Sequence, residues 1–268
     1  MRIKQCYMGE HGRYSSFKDF YSLEDYTDIN KPVVFYGLNN NKDIKKWIKH
    51  KGFKVYLPAT IEETGGFPIR DKTDGGSVFT KIGIKDLNVI VYDEVWEYLV
   101  KSNGVKNCKK VRFAWRDHRM CKPTPLGDKI YIHFGHFPEI NAFTDFFEKE
   151  RFTNLFGDDL IYPETFIPYE DLIENYFNRS FIHIVTAPYP TFSETTTQAM
   201  GLMGRKTLSI WPNLNPSCEL YDGHILNNLV RQVNIEKQKI GTIQLEFANQ
   251  VSNFFDFSDD WLYEDYWK

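Results

Sequence analysis

The chain has 268 residues, 42% of them hydrophobic and 26% charged, with a formal net charge of −3. That balance belongs to a globular chain; it argues against disorder, against a membrane span of about 20 apolar residues, and against a surface whose overall field draws nucleic acid. Four widely spaced cysteines (Cys6, Cys108, Cys121, Cys218) without a CxxC pair argue against zinc and disulfide frameworks, so a reducing cytoplasm is expected. The first residues carry no apolar signal-peptide region. An aromatic share of 16% is read as a Phe-rich core rather than a binding platform.

Taken in order, strands alternate with helices. Arg2–Met8 reads as a first strand, followed by the loop Gly9-Glu10-His11-Gly12, and Ser15–Tyr26 as a helix. Pro32–Tyr36 is a strand. Asn41 or Asp43 would cap a helix Lys42–His50 whose apolar stripe is Ile44, Trp47 and Ile48. Phe53–Leu57 and Leu87–Tyr92 are further strands, separated by a glycine-rich section Thr64–Gly76 too polar for a regular element. Asp93-Glu94 lead into the helix Val95–Lys101, and Lys110–Trp115 reads as the last strand of this half.

Pro123–Gly127 looks like a linker, after which the pattern restarts. Strand Lys129–Phe134, loop Gly135-His136, helix Glu139–Arg151, strand Asp159–Tyr162 and helix Tyr169–Phe177 follow. The most informative stretch is Phe181–Trp211: a buried strand Phe181–Ala187, a loop Pro188–Glu194, a helix Thr195–Met203 ended by Gly204, and a strand Thr207–Trp211. A strand–helix–strand unit of this length is a crossover between parallel strands, and ligands bind at the carboxyl ends of such strands. The loop there delivers a helix N-terminus, a ready anion site. Helices over His224–Gln232 and Gln244–Phe255 complete the reading.

The expected fold class is therefore α/β, with two Rossmann-like parallel-sheet domains facing a central cleft: residues 1–125, residues 126–255, and a tail 256–268 returning to the first. A single sheet of seven or more strands is the alternative. The strand Lys129–Ile132 after a proline segment, the helix TTTQAMGLMGRK at Thr195–Lys206, and the early KPVVFYGL and DIKKWIKHKGFKVYL runs resemble the compact GT-B glycosyltransferases of bacteria and phages. The resemblance implies transfer of a sugar from a nucleotide-sugar donor, with a UDP-sugar the expected form, to a hydroxyl acceptor. It implies no resident cofactor and no metal, in keeping with the lack of a convincing DxD motif.

The resemblance places the donor diphosphate near the N-terminus of the 195–203 helix, with Ser193, Thr195 and Thr196 supplying hydroxyls and backbone N–H groups. Ordinary N-capping explains those residues equally well. Glu194 resembles the family's acidic residue that contacts the sugar; alternatively it is a favourable charge at a helix start. Gly135 and His136 stand where the family brings a loop against the phosphates. Many members carry a ribose-binding glutamate where this chain has Ala199; Gln198, adjacent but about 100° round the helix, is the remaining candidate there for contacting the nucleotide. Arg205 and Lys206 fall at the far helix end and read as a solvated charge complement. In the first half, His11 and Asp93 are the candidate bases for an acceptor hydroxyl, with capping the plainer role for Asp93.

Between Lys106 and Lys122 there are seven Lys/Arg and one acid, Asp117. Lys109, Lys110, Arg112, Arg116 and Arg119, interleaved with Phe113 and Trp115, could engage DNA, since compact phage transferases glycosylate modified bases that must leave the stack. A solvated strand and loop is the plainer reading. The tail Phe254–Lys268 carries five acids and two tryptophans, which would anchor it on the first domain. A nucleic-acid-binding or scaffold protein on a degenerate GT-B frame is the rival reading. A sugar-nucleotide epimerase is a second rival, weakened by the lack of GxGxxG after the first strand.

Overall fold

The computed structural model describes residues 1–9, 15–38, 40–59, 63, 78–83, 87–133, 150–164, 167–186, 194–209, 215–221, 226–255 and 257–268. The chain divides into two compact units, Met1–Asp117 with Phe255–Lys268, and His118–Phe254.

Among the described residues, the first unit contains six parallel strands in the order β2-β1-β3-β4-β5-β6. They are β1 Gln5–Met8, β2 Glu24–Asp25, β3 Val33–Tyr36, β4 Lys54–Leu57, β5 Asn88–Val91 and β6 Asn107–Lys110. All four residues of β3 are buried, as expected where a parallel sheet is covered on both faces. The helices are α1 Ser15–Phe20, α2 Asn41–Lys49, α3 Val78–Ile82 and α4 Glu94–Ser102. Asn40, rather than Asn41 or Asp43, caps α2: its side chain accepts from the Asp43 N–H at 2.9 Å. The stripe of α2 is Asp43, Ile44 and Trp47; Ile48 is 59% exposed.

Two expectations fail here for local reasons. The helix expected over Ser15–Tyr26 stops at Phe20, because Ser22 turns left-handed (φ 52°) and the Leu23 N–H closes back on the Lys18 carbonyl at 2.9 Å. Glu24–Asp25 then joins β1 as an edge strand. The strand expected over Lys110–Trp115 lies earlier, at Asn107–Lys110. Phe113, Ala114 and Trp115 are buried in succession, and the Ala114 N–H donates to the Tyr21 hydroxyl, not to a neighbouring strand. These aromatics build the core: the Phe113 and Trp115 rings lie 4.6 Å apart, Phe17 and Tyr36 5.0 Å, and Tyr21 and Trp261 5.2 Å.

Trp261 comes from the C-terminal segment. Ile3 N–H bonds the Leu262 carbonyl (2.7 Å), Glu264 N–H bonds that of Met1 (3.0 Å), and Trp267 Nε1 donates to the Trp261 carbonyl (2.9 Å).

The second unit holds five parallel strands among its described residues, in the order β11-β10-β9-β7-β8. They are β7 Lys129–His133, β8 Leu160–Ile161, β9 Ser180–Val185, β10 Lys206–Ser209 and β11 Cys218–Leu220, the last of which sequence pattern does not reveal. Helices α5 (residues 150–156), α6 (Tyr169–Leu172, continued by a wider turn Ile173–Phe177), α7 (Glu194–Leu202), α8 (Leu226–Lys237) and α9 (Leu245–Phe254) accompany them. The helix expected to end at Arg151 thus continues to residue 156, and that expected over His224–Gln232 extends to Lys237. The core joins Ile130 and Ile132 of β7, Phe152 of α5, Ile182 and Ile184 of β9, Leu208 of β10, and Leu229 and Val233 of α8. The section Thr64–Gly76 and most of the helix Glu139–Arg151 lie outside the described residues. No described helix is long and apolar enough to cross a membrane.

Arg205 corrects the sequence reading most sharply. It is wholly buried rather than solvated. Gly204 (φ 88°) ends the turn after α7, and the next side chain turns inward. The guanidinium donates to Thr124 Oγ1 (2.7 Å) and to the carbonyls of Pro125 (3.0 Å), Thr124 and Ser180 (each 3.3 Å) and Met203. Burial pulls its pKa down to about 10, which leaves it charged at neutral pH. Lys206 is half-buried and paired with Glu219 (2.8 Å) and Glu236 (3.0 Å). Segment 123–127 is likewise fastened: Leu126 exchanges backbone bonds with Thr242 (2.9 Å) and Gly241 (2.8 Å), and Gly127 N–H bonds Ser180 (3.1 Å). Arg205→Met would strand several buried carbonyls and should destabilise the chain by about 3 kcal/mol or more; the shift in urea midpoint measures it.

Candidate functional site

In an open parallel sheet, the crevice lies where the order of strands reverses, because the loops leaving two neighbouring strands then diverge to opposite faces. In the second unit the chain passes from β7 to β8 on one side, then to β9 on the other. The reversal therefore lies between β7 and β9, whose carboxyl ends are paired at His133 and Val185. From Val185 the chain runs to α7; from His133 it runs to Gly135 and His136. Gly135, His136 and Ser193 lie outside the described residues, and Glu194 is described only as the first residue of α7.

The first turn of α7 offers backbone N–H groups without intrahelical partners. Thr195 is half-buried, while Thr196, Thr197, Gln198, Ala199 and Met200 are buried in succession. Ala199, at the position where the GT-B resemblance expects a ribose carboxylate, faces protein. Gln198 is wholly buried, and its Oε1 is hydrogen-bonded to His118 Nε2. The other ring nitrogen of His118 meets the Tyr169 hydroxyl at 2.8 Å, and Cys121 Sγ lies 3.4 Å from the same hydroxyl. All four side chains are buried. Sequence reading missed His118, Cys121 and Tyr169: the first two stand three residues apart but some fifty residues before Tyr169, so no local spacing marks the set. Gln198 gave no signal either, since it closes the polar run Glu194–Gln198 and its burial is visible only in the fold.

In the first unit the order reverses between β1 and β3. Gly9 follows β1, and its N–H bonds the Tyr36 carbonyl at 3.0 Å. A Cβ there would lie 2.7 Å from the Gly37 carbonyl oxygen and 3.0 Å from Asp43 Oδ2, so only glycine fits. Asp43 is 2% exposed, and its Oδ1 accepts from the Tyr7 hydroxyl at 2.7 Å. Glu63, also buried, accepts from Leu38 N–H (2.9 Å), Tyr56 Oη (2.5 Å) and Ala59 N–H (3.2 Å), tying together the loops after β3 and β4. Burial, then the Glu63 charge, push the Tyr56 hydroxyl pKa well above its ordinary value. His11 lies outside the described residues. Asp93 is buried and is the N-cap of α4, its Oδ1 accepting from Trp96 N–H at 2.9 Å.

The basic run is largely engaged. Lys110 and Arg112 pair with Glu94; Lys109 donates to the Tyr266 carbonyl and lies 4.3 Å from that ring's centre. Arg116 is half-buried and Arg119 exposed. Lys109, Lys110, Arg112 and Arg116 lie in the first unit and Arg119 in the second. Among the described residues no group of three or more His, Cys, Asp or Glu side chains could hold a metal ion.

No protein-family model matches the chain, and no curated protein matches it. Among solved structures, the crystal structure of TarM is similar, with a TM-score of 0.55 and 12% identity over 89% of this chain. The chain spans 55% of TarM's length. The likeness is one of fold, two Rossmann-like α/β units of the GT-B kind.

Removing the α4 cap should cost about 1 kcal/mol in Asp93→Ala and much less in Asp93→Asn, since asparagine caps as well as aspartate. Thermal melts of the two variants compare them directly.

Proposed function

We propose that the chain is a GT-B-type glycosyltransferase, moving a sugar from a nucleotide-sugar donor to a hydroxyl acceptor. The observation that carries this reading is the strand reversal between β7 and β9, from whose carboxyl ends the chain leads to α7 on one side and to Gly135 and His136 on the other. TarM, itself a glycosyltransferase, shares the fold over most of this chain. In the proposed reaction the bond between the anomeric carbon and the diphosphate oxygen breaks, and its electron pair leaves with the nucleoside diphosphate. The acceptor oxygen bonds that carbon, and its proton passes to a base.

Each residue takes one role in this proposal. The first-turn N–H groups of α7, with the hydroxyls of Ser193, Thr195 and Thr196, hold the diphosphate and stabilise its departing charge without requiring a metal. Gly135 and His136 approach the phosphates from the β7 side, and Glu194 contacts the sugar. His11 is taken as the base, and Asp93 keeps the plainer role of helix cap that its Oδ1 fills. A UDP-sugar is the proposed donor. A modified DNA base is a narrower choice of acceptor. The pairing of Lys110 and Arg112 with Glu94, and of Lys109 with the C-terminal segment, weighs against that choice and against a purely DNA-binding scaffold.

The test is release of nucleoside diphosphate from a panel of UDP-, GDP- and ADP-sugars, with water or added sugars and polyols as acceptor. Release from one nucleotide family is expected. Glu194→Ala should lower kcat/KM about 10- to 100-fold, the worth of one hydrogen bond to a charged group. His11→Ala should lower kcat about 100-fold or more, and the rate with intact His11 should fall as pH is lowered, because an imidazole that has taken up a proton ceases to act as base. Absence of release from every donor, together with a salt-sensitive shift of duplex DNA, would replace the transferase by the scaffold.

A further inference from the structure

The cluster around His118 has no part in the roles above, and its placement is unusual for a core. Three separate elements of the second unit each commit a polar side chain to it: the short turn His118–Met120, α6 through Tyr169, and α7 through Gln198. Gln198 Oε1 is an acceptor, so His118 Nε2 carries the proton; in the neutral ring Nδ1 then accepts from the Tyr169 hydroxyl. Apolar side chains of similar size would pack at least as favourably, and a buried polar network is costly unless it is satisfied. What a directional bond adds, and apolar contact does not, is a defined position. Ala199, Met200 and Leu202 hold α7 by shape alone, and such contacts tolerate small rotations and slides of a helix. Gln198 lies one turn after Glu194, so fixing its amide fixes the direction in which the first turn presents its N–H groups.

We propose that His118 is a positioning residue for the nucleotide site: through Gln198 it sets the azimuth of α7, and thereby aims the helix's first-turn N–H groups at a nucleoside diphosphate. This inference rests on the donor-site reading above. His118 need not touch the ligand. A displacement of the donors by a few tenths of an ångström is enough to weaken hydrogen bonds to phosphate, because productive sites demand placement to about 0.5 Å.

The experiment is calorimetric titration of UDP, GDP and ADP into the full chain and into His118→Leu, Gln198→Leu, the double variant and Gln198→Glu. Titrations are run below the melting transition of every variant, so that loss of folded protein does not register as loss of affinity. For whichever nucleotide the unsubstituted chain binds, each leucine variant should weaken Kd about tenfold, the worth of one hydrogen bond from the misaimed first turn to the phosphates. The double variant should bind no more weakly than the worse single one, since both remove the same bond. Gln198→Glu keeps an acceptor for Nε2 and should bind more tightly than Gln198→Leu, whereas a space-filling role for Gln198 predicts that leucine, of similar volume, binds as well as glutamate. Should His118→Leu not fold, Gln198→Leu and Gln198→Glu still decide the matter. Unchanged affinity in the leucine variants, or losses that add in the double variant, overturns the proposal while leaving the donor site standing. Failure of the unsubstituted chain to bind any of the three nucleotides overturns the donor-site reading, and the proposal with it.

Discussion

The parallel pairing of β9 with β7 on one side and β10 on the other is the constraint on which the second unit depends. A chain that leaves β9 and must return to start β10 in the same direction has to travel the length of the sheet, and α7 is that return. Its N-terminus is therefore delivered to the carboxyl edge whatever its sequence. The sequence decides how firmly it is held. Five consecutive buried residues from Thr196 to Met200 leave α7 almost no solvent face, and its far end is closed by Gly204 and the inward turn of Arg205. The buried guanidinium joins the end of α7, the start of β9 and segment 123–125. A single cation satisfied by backbone carbonyls thus fixes three separate stretches of chain.

The first unit solves a similar problem with carboxylates. Glu63 gathers N–H groups from the loops after β3 and β4, Asp93 starts α4, and Asp43 receives the Tyr7 hydroxyl beside Gly9. All three lie towards the carboxyl edge of the sheet, where backbone N–H groups are exposed at strand ends and helix starts and anionic side chains are best stabilised. The C-terminal segment adds Trp261 to the aromatic core around Phe17 and Phe113, and Trp267 Nε1 donates to the Trp261 carbonyl.

Much of this was legible from local pattern. Val33–Tyr36, and Phe181–Val185 but for His183, are apolar without alternation, the mark of strands covered on both faces, and they lie where expected. What failed was decided by single residues or by distant partners. Nothing in the composition of Ser15–Tyr26 announces a left-handed Ser22. The aromatic run Phe113–Trp115 has strand propensity, yet serves as core filler because Tyr21 supplies the hydrogen bond a neighbouring strand would have made. Arg205 reads as a solvated helix end until Thr124 and Pro125, some eighty residues earlier, are seen to supply its acceptors. The candidate site shows the same division. The helix start at the strand end was visible as a strand–loop–helix pattern, whereas the His118–Tyr169–Gln198 contacts join residues with no common spacing.

The central claim is that a nucleotide sugar is held at the first turn of α7. Hydrogen–deuterium exchange, read on peptides covering 194–202 with and without a saturating nucleotide sugar, tests it most directly. Occupied N–H groups exchange more slowly, so slowed exchange confined to the first turn, with the already buried second turn unchanged, is the predicted result. Slowed exchange elsewhere in the chain with none at 194–197 would contradict the account, and would place the ligand at another strand end.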